Sequence, residues 1–481
     1  MKMGVASHVP SQSSIAAPPE FHSLTSILNH LRVVLSAGPV PIRPDRRREE
    51  GEKLMSQVET HVELPVGRDD PALAPIKGIK VLDVDTHLTE PADLWTSRAP
   101  AKYKDLVPRV VMMPNDELQH VIGWRPGRGV DGMAGVWIVD EDIPLGFAGG
   151  ASVINKDNQK VRGFDFLNWP LTEVSPGATY IEPRLQMMDD VGIWGQIVYP
   201  NAIGFGGQGF AQIKDPELRL LCLTIWNDAM AEMQEQSGGR LFGMGIIPWW
   251  DRDRAIAEIE RVHALGLKGV NTNADPQNQG MPDLSDEYFQ PMWETCAALG
   301  LPVNFHIGAS VSQASYIGTA PWPSMSTEAK GAVGATMLYV GNTRVIANFI
   351  FSGVLERNPT LKIVSVESGV GWIPFILDAL DYQAVENGVA TLQMNPSDYF
   401  RRQVYACFWF EEGKRLLGDI DRIGVDNCMF ETDFPHPTCL YPQPLDGIAR
   451  TLGENDVDWD VRRKLLGGTA ARVYNIDVPE N

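Results

Sequence analysis

The stretch VLDVDTHLTEP, Val81 to Pro91, decides how the chain reads. Val81-Leu82-Asp83-Val84 is a short apolar run with β-branched residues, the composition of a buried strand. It runs into Asp85, Thr86 and His87, and the chain then turns at Pro91. A strand that had only to stop would end in Gly, Asn or Ser. On an extended chain Asp85 and His87 flank Thr86 and point the same way. Two side chains able to bind a metal therefore stand together at one strand end.

Similar apolar, β-branched runs recur downstream. After Lys80–Asp85 come Gly195–Tyr199, Phe242–Ile247, Lys268–Asn271, Pro302–His306, Lys362–Glu367, Gln403–Phe408 and Cys428–Asp433. Helix-patterned stretches lie between most of them: Leu218–Gln236, Asp253–Leu265, Asp286–Leu299, Met337–Arg357 and Glu411–Leu417. Within Arg254–Val262, Ile256, Ile259 and Val262 fall on one face at near-helical spacing. Eight strands alternating with helices predict an α/β fold, a distorted (β/α)8 TIM barrel. A doubly wound sheet is the competitor, but it calls for a Gly-rich phosphate turn after the first strand, and Thr86-His87-Leu88-Thr89 is not one. A long insertion after strand 1, residues 95–181, is rich in Gly, Pro, Trp and Asp with no clear period. On a barrel it leaves from the active-site end, where long loops form lids or binding loops.

Residues 1–75 differ in composition from the rest of the chain. They are rich in Ser and Pro and carry the charged run Arg43 to Glu50, so they read as a mostly disordered N-terminal extension, with one short helix near Ser23 to Ser36. Met55 is a candidate alternative start. Residues 76–481 then form the barrel domain. The formal net charge of -20 argues against nucleic acid as a partner, because there is no basic surplus to displace counterions. A small anionic substrate stays possible, since a bound divalent cation can reverse the local field. The five cysteines form no C-x-x-C pair, and their odd number rules out complete pairing, so a reducing, cytoplasmic setting is expected. No run of 18 or more apolar residues occurs, which predicts no membrane span. The apolar segment Ile27 to Leu35 is broken by His30 and Arg32 and does not read as a secretory signal.

In a barrel the functional residues sit at the C-terminal ends of the strands. The first strand ends in Asp85 and His87, the fifth in His306, the sixth in Glu367, and the eighth in Asp433, with His436 just beyond. Each has an ordinary structural reading by itself: Asp85 as a cap, His306 as a hydrogen-bonded core histidine, Asp433 as a turn residue, His436 as part of a surface loop, Glu367 as a helix cap. Coincidence at four strand ends is harder to explain that way. Two imidazoles and two carboxylates converging at one mouth make a site for Zn2+ or Mn2+.

These motifs together resemble the amidohydrolase superfamily, in the branch of metal-dependent decarboxylases related to aminocarboxymuconate semialdehyde decarboxylase. Asp85-Thr86-His87 resembles the opening metal motif. Arg184 to Pro200 resembles the first helix and second strand, and Leu301 to Gly308 the histidine strand. Thr432-Asp433-Phe434-Pro435-His436 resembles the final Ser/Thr-Asp-Phe/Tyr-Pro-His motif, and Lys464 to Arg472 the C-terminal helix. The chain departs at two places. Asp85 stands where many relatives have His or Glu, which makes a harder site and tilts the choice towards Mn2+. Glu367 stands where many have a histidine.

The resemblance implies one divalent metal, Zn2+ or Mn2+, held by Asp85, His87, His306 and Asp433, since no lysine is placed to bridge two. It implies a non-oxidative decarboxylase of a small aromatic or unsaturated carboxylic acid, with Asp433 as proton donor and Glu367 and His436 as its catalytic partners. Trp409 and Trp95 are candidate substrate-binding residues, suited to a flat acid. The alternative is a metal-dependent hydrolase or hydratase of a small cyclic or unsaturated acid, lactone or amide, with Glu367 or Asp433 taking a proton from metal-bound water. A third reading is a barrel whose strand-end acids are structural. By family analogy the chain forms a homodimer or homotetramer.

Overall fold

The computed structural model describes residues 70–114, 117, 132–314 and 324–479. Its strands are β1 (Val81–His87), β2 (Arg109–Pro114), β3 (Met133–Val139), β4 (Ile143–Phe147), β5 (Ile193–Tyr199), β6 (Leu241–Gly243), β7 (Gly245–Ile246), β8 (Val270–Asn271), β9 (Val303–His306), β10 (Ile363–Val366), β11 (Val404–Phe408) and β12 (Cys428–Phe430). All seven residues of β1 are buried, as they are in β5. Burial on both faces is what a parallel sheet covered by helices requires, and it explains why these strands read as near-continuous apolar runs.

One parallel sheet has the order β1-β5-β6 and another the order β12-β11-β10-β9-β8-β7. They join at both ends. β6 and β7 are one chain segment: the Met244 N–H donates to Val198 O and the Gly245 N–H to Gly269 O, both at 3.0 Å. On the other side the Asp433 N–H donates to Asp85 O (2.9 Å) and the His87 N–H to Phe434 O (2.7 Å). With β6 and β7 taken as one, eight parallel strands close into a barrel. All eight expected strands are present.

Leu82, Val84, Tyr199, Met244, Val366 and Met429 belong to a buried cluster that also takes in Ala470, Val473 and Tyr474 of the C-terminal helix Thr469–Tyr474. The Tyr474 hydroxyl donates to Asn304 Oδ1 (2.8 Å), so a buried polar group on β9 is satisfied from that helix. A larger apolar layer separates strands from outer helices. Gly243 lets the helix Pro216–Gln236 approach β6, because a Cβ there would lie 2.4 Å from Met230 Cβ. The stretch Met337–Arg357, read as one helix, is broken into Thr327–Tyr339, Thr343–Phe351 and Val354–Arg357, with Gly353 at φ +75° between the last two.

The insertion has regular structure that the sequence reading did not find: an antiparallel sheet in the order β2-β3-β4. Its central strand is buried on both faces. Ala134, Val136 and Ile138 form one small core, while Trp137 and Val139 join the main apolar layer. A strand apolar on both sides carries no period-two signal. At the other end, Pro71–Ile76 forms a 3-10 helix capped by Asp70. The expected extension falls largely on residues 1–69 and its helix on Ser23 to Ser36, outside the described residues. Among the described residues no helix is long and apolar enough to cross a membrane.

Candidate active site

The strand ends meet. His87 Nε2 lies 3.4 Å from Asp85 Oδ1 and 3.5 Å from Asp433 Oδ1. His306 Nε2 lies 3.5 Å from Asp85 Oδ1 and 3.4 Å from Glu367 Oε2. His436 Nδ1 is 3.1 Å from Asp433 Oδ1, and its ring stacks on His87 at 3.6 Å. Asp85, His87, His306 and Asp433 are fully buried. β1 carries one extra residue between Asp83 and Thr86 relative to β5. This bulge frees Asp85 from simple alternation with Asp83. Thr86 turns away and donates its hydroxyl to Ile197 O at 2.7 Å.

The tautomers are set by the neighbours. His87 Nδ1 faces Pro200 O at 3.2 Å and His306 Nδ1 faces Ile307 O at 2.6 Å. A carbonyl only accepts, so each Nδ1 carries a proton, and in the neutral imidazole that can bind a metal each Nε2 is bare. The two bare Nε2 atoms are 3.1 Å apart. Neither can donate to the other, nor to the carboxylates beside them. Both oxygens of Asp85 and Oδ1 of Asp433 are buried with no hydrogen-bond donor. Lone pairs converging on one point from imidazoles and carboxylates are what a divalent cation satisfies, so the residues present fit a metal.

The electrostatics agree. Burial, with Asp433 and Asp85 alongside, pushes the Glu367 carboxyl well above its ordinary range. Burial and then Asp85 do the same to Glu431. Burial, helped by His436, pushes His87 down to about 4, so it is neutral and able to ligate at pH 7. Among the described residues no lysine or arginine pairs with Asp85, Glu367 or Asp433, whose close basic neighbours are all imidazoles.

Beneath the cluster is a buried polar chain that sequence reasoning missed. Arg184 donates from Nη1 to His87 O and from Nε to Gln196 Oε1, both at 2.8 Å. Gln196 Nε2 donates to Asp83 Oδ2 (3.1 Å), and Asp83 accepts the Thr432 N–H (2.8 Å) and hydroxyl (2.6 Å). The chain ties β1, β5 and the segment after β12 into one frame. Its signal in the sequence was Asp83, an acid inside an apolar strand. Burial pushes Asp83 up to about 7, against the bond from Thr432.

Other residues missed from the sequence border the cluster. Phe205 packs its ring on His306 (4.0 Å) and His87 (4.9 Å). Asn201 Oδ1 is 3.0 Å from His436 Nε2, and buried Glu90 holds Asn201 by accepting its backbone N–H at 2.7 Å. The Thr438 hydroxyl donates to Asp433 Oδ2 and lies 3.5 Å from Glu367 Oε1. Tyr339 faces Thr438, Glu367 and Asp433. Trp409, expected at the mouth, sits edge-to-face against Tyr339 at 5.4 Å. Trp95, also expected there, is not brought to the cluster. It is fully buried against Trp137 (5.4 Å), with its indole N–H on Cys222 O at 2.9 Å. Core packing rather than substrate contact explains that tryptophan.

Known proteins share parts of this chain and its fold. A 2-amino-3-carboxymuconate-6-semialdehyde decarboxylase of Dictyostelium discoideum is 25% identical over 266 residues, 52% of this chain and 66% of that protein. A 2-keto-4-carboxy-3-hexenedioate hydratase of Sphingobium sp. (strain NBRC 103272 / SYK-6) is 27% identical over 240 residues, 47% of this chain and 62% of that protein. The chain thus matches somewhat less than two thirds of each relative's length. The crystal structure of an amidohydrolase from Mycobacterium avium subsp. paratuberculosis K-10 superposes with a TM-score of 0.59 at 20% identity, covering 82% of this chain and 99% of that one, which supports the barrel. The amidohydrolase family model matches residues 83–476, from the buried acid of β1 to just past the C-terminal helix, and the chain belongs to that family.

Proposed function

We propose that the protein is a divalent-metal-dependent, non-oxidative decarboxylase of small aromatic or unsaturated carboxylic acids. The observation that carries the reading is the pair of bare Nε2 atoms 3.1 Å apart, ringed by carboxylate oxygens without donors. Asp85, His87, His306 and Asp433 would hold the metal, Mn2+ or Zn2+. When bound, it would supply Lewis-acid polarisation and a template for the substrate carboxylate and a neighbouring oxygen.

The chain's own residues supply the proton. Decarboxylation needs a proton at the carbon that bears the carboxylate. The C–C bond then breaks, its electron pair stays with the substrate skeleton, and CO2 leaves, so no redox partner is required. In this reading Asp433 delivers that proton, a role supported by His436 Nδ1 at 3.1 Å and the Thr438 hydroxyl on its other oxygen. His436 would reload it, held by Asn201 from behind. Tyr339 and Trp409 form an aromatic wall suited to a flat acid. The five cysteines, all buried and unpaired, suit a reducing cytoplasm. A homodimer or homotetramer is expected.

Metal-dependent hydration or hydrolysis is the second reading, favoured by one specific residue. Glu367 puts a carboxylate 3.4 Å from His306 Nε2, where it could take a proton from water. One of the two relatives is itself a hydratase. Metal-loaded protein should be offered hydroxybenzoates, muconate-type acids and lactones, with CO2 release and water addition monitored in parallel. CO2 formed in step with substrate loss supports decarboxylation, and water addition without CO2 supports the second reading. Neither reaction across the panel would count against both.

A further inference from the structure

We propose that Glu367 is itself a ligand of the metal, rather than a free acid–base group. The proposal rests on the metal-site reading. Three observations lead to it. The first is the contact with His306. Because His306 Nε2 is bare, it donates nothing to Glu367 Oε2 at 3.4 Å, and once the carboxyl is ionised the two groups meet with no proton between them. It repeats the arrangement of His87 with Asp85, lone pair towards lone pair, which a shared cation resolves.

The second observation is position. Ligand atoms of Asp85, His87, His306 and Glu367 all lie within 4.8 Å of one another, and so do those of His87, Glu367, Asp433 and His436. His87 and Glu367 are the members common to both sets. Glu367 is therefore at the centre of the donors, not at their rim.

The third is the backbone. Glu367 has φ +53° and Asp433 φ +59°, in the segments just past β10 and β12. Left-handed backbone is unfavourable for a non-glycine residue, and where it persists the surroundings impose it. Here the two strained positions deliver the two carboxylates that face each other across Thr438. The Glu367 N–H is fixed by Glu431 Oε2 at 3.2 Å, so the residue is aimed and not simply left at a strand end.

The ligand set then becomes two imidazoles and three carboxylates. Five protein donors exceed the three or four that Zn2+ usually takes, and oxygen-rich sets suit a six-coordinate ion such as Mn2+. A six-coordinate ion would keep one position open for a substrate oxygen. His436 remains the imidazole outside the set that still touches Asp433. The departure at residue 367 thus changes the metal preference of the site and moves proton handling to the His436 side.

The test is Mn2+ and Zn2+ titration of metal-stripped full-length protein, with free Mn2+ read by electron paramagnetic resonance. Wild type, Glu367→Gln and Glu367→Asp are compared, each checked for a cooperative thermal transition. The expected result is one Mn2+ per wild-type chain, at least about tenfold weaker Mn2+ binding in E367Q, a smaller change for Zn2+, and partial recovery in E367D. Equal Mn2+ affinity in wild type and E367Q would overturn the assignment while leaving the metal site standing. Absence of any metal binding in wild type would overturn both. Should the variants fail to fold, anomalous diffraction from Mn2+-loaded wild-type crystals decides. A Glu367 oxygen at about 2.2 Å from the ion supports the proposal, and one beyond coordination distance refutes it.

Discussion

Arg184→Met tests whether the frame beneath the site is energetically significant. Arg184 lies on the helix Ile181–Val191, is 1% exposed, and donates to His87 O and Gln196 Oε1. Methionine keeps most of the alkyl volume but strands both acceptors away from water. A buried acceptor left without its donor costs about 1–3 kcal/mol, so the pair costs about 4 kcal/mol. Unfolding entropy of about 2.1 cal/mol/K per residue, over about 400 residues, is about 0.8 kcal/mol/K, which converts that loss into a drop of about 5 °C in the thermal midpoint. Scanning calorimetry measures it. Arg184→Lys should fall in between, because an ammonium keeps the charge and loses the planar fork that reaches two acceptors. Metal affinity should drop about tenfold as well, since the His87 backbone loses its anchor. A midpoint within about 1 °C of wild type, with unchanged metal affinity, would mean that Arg184 does not hold the site in place.

Particular contacts set further expected outcomes. Burial pushes Glu90 up to about 7 from 4.5, against the N–H groups of Asn201 and Ala202. The folded protein therefore holds that proton more tightly than the unfolded chain does, and its stability falls as pH rises from about 4.5 through 7. Glu90→Gln does not titrate, so it should gain about 3 kcal/mol on wild type between pH 5 and 8, and parallel stability curves would contradict the assignment. Asp433→Asn should lower turnover by about 10²–10⁴-fold in samples matched for metal content, and a loss under tenfold would remove Asp433 as proton donor. Gly243→Ala puts a methyl 2.4 Å from Met230 Cβ and should cost about 1–3 kcal/mol in urea unfolding, whereas an unchanged midpoint would mean the helix yields freely.

Much of the barrel was legible because parallel strands covered on both faces announce themselves as apolar runs, and because helices punctuate them. Even β8, only two paired residues long, lies within a recognisable run. The site was legible for a related reason: strand ends fix where chemistry can sit, so Asp85, His87, His306, Glu367 and Asp433 could be gathered before any contact was known. What stayed hidden depends on distance in three dimensions. Arg184 is an ordinary helix residue until its guanidinium meets His87 O, 97 positions earlier in the chain. Phe205 and Asn201 lie in a loop whose residues reveal nothing until it folds over the imidazoles. Trp95 misled because a large aromatic in an insertion suits a core as well as a substrate wall. β3 was missed because both its faces are buried.

The most direct test of the central claim is metal content. Protein purified without a metal-affinity column should be analysed by mass spectrometry beside a His306→Ala, Asp433→Ala double variant. Close to one Mn or Zn per wild-type chain is expected, with a large loss in the variant. A folded wild type that holds neither metal, even after both are offered, would contradict it.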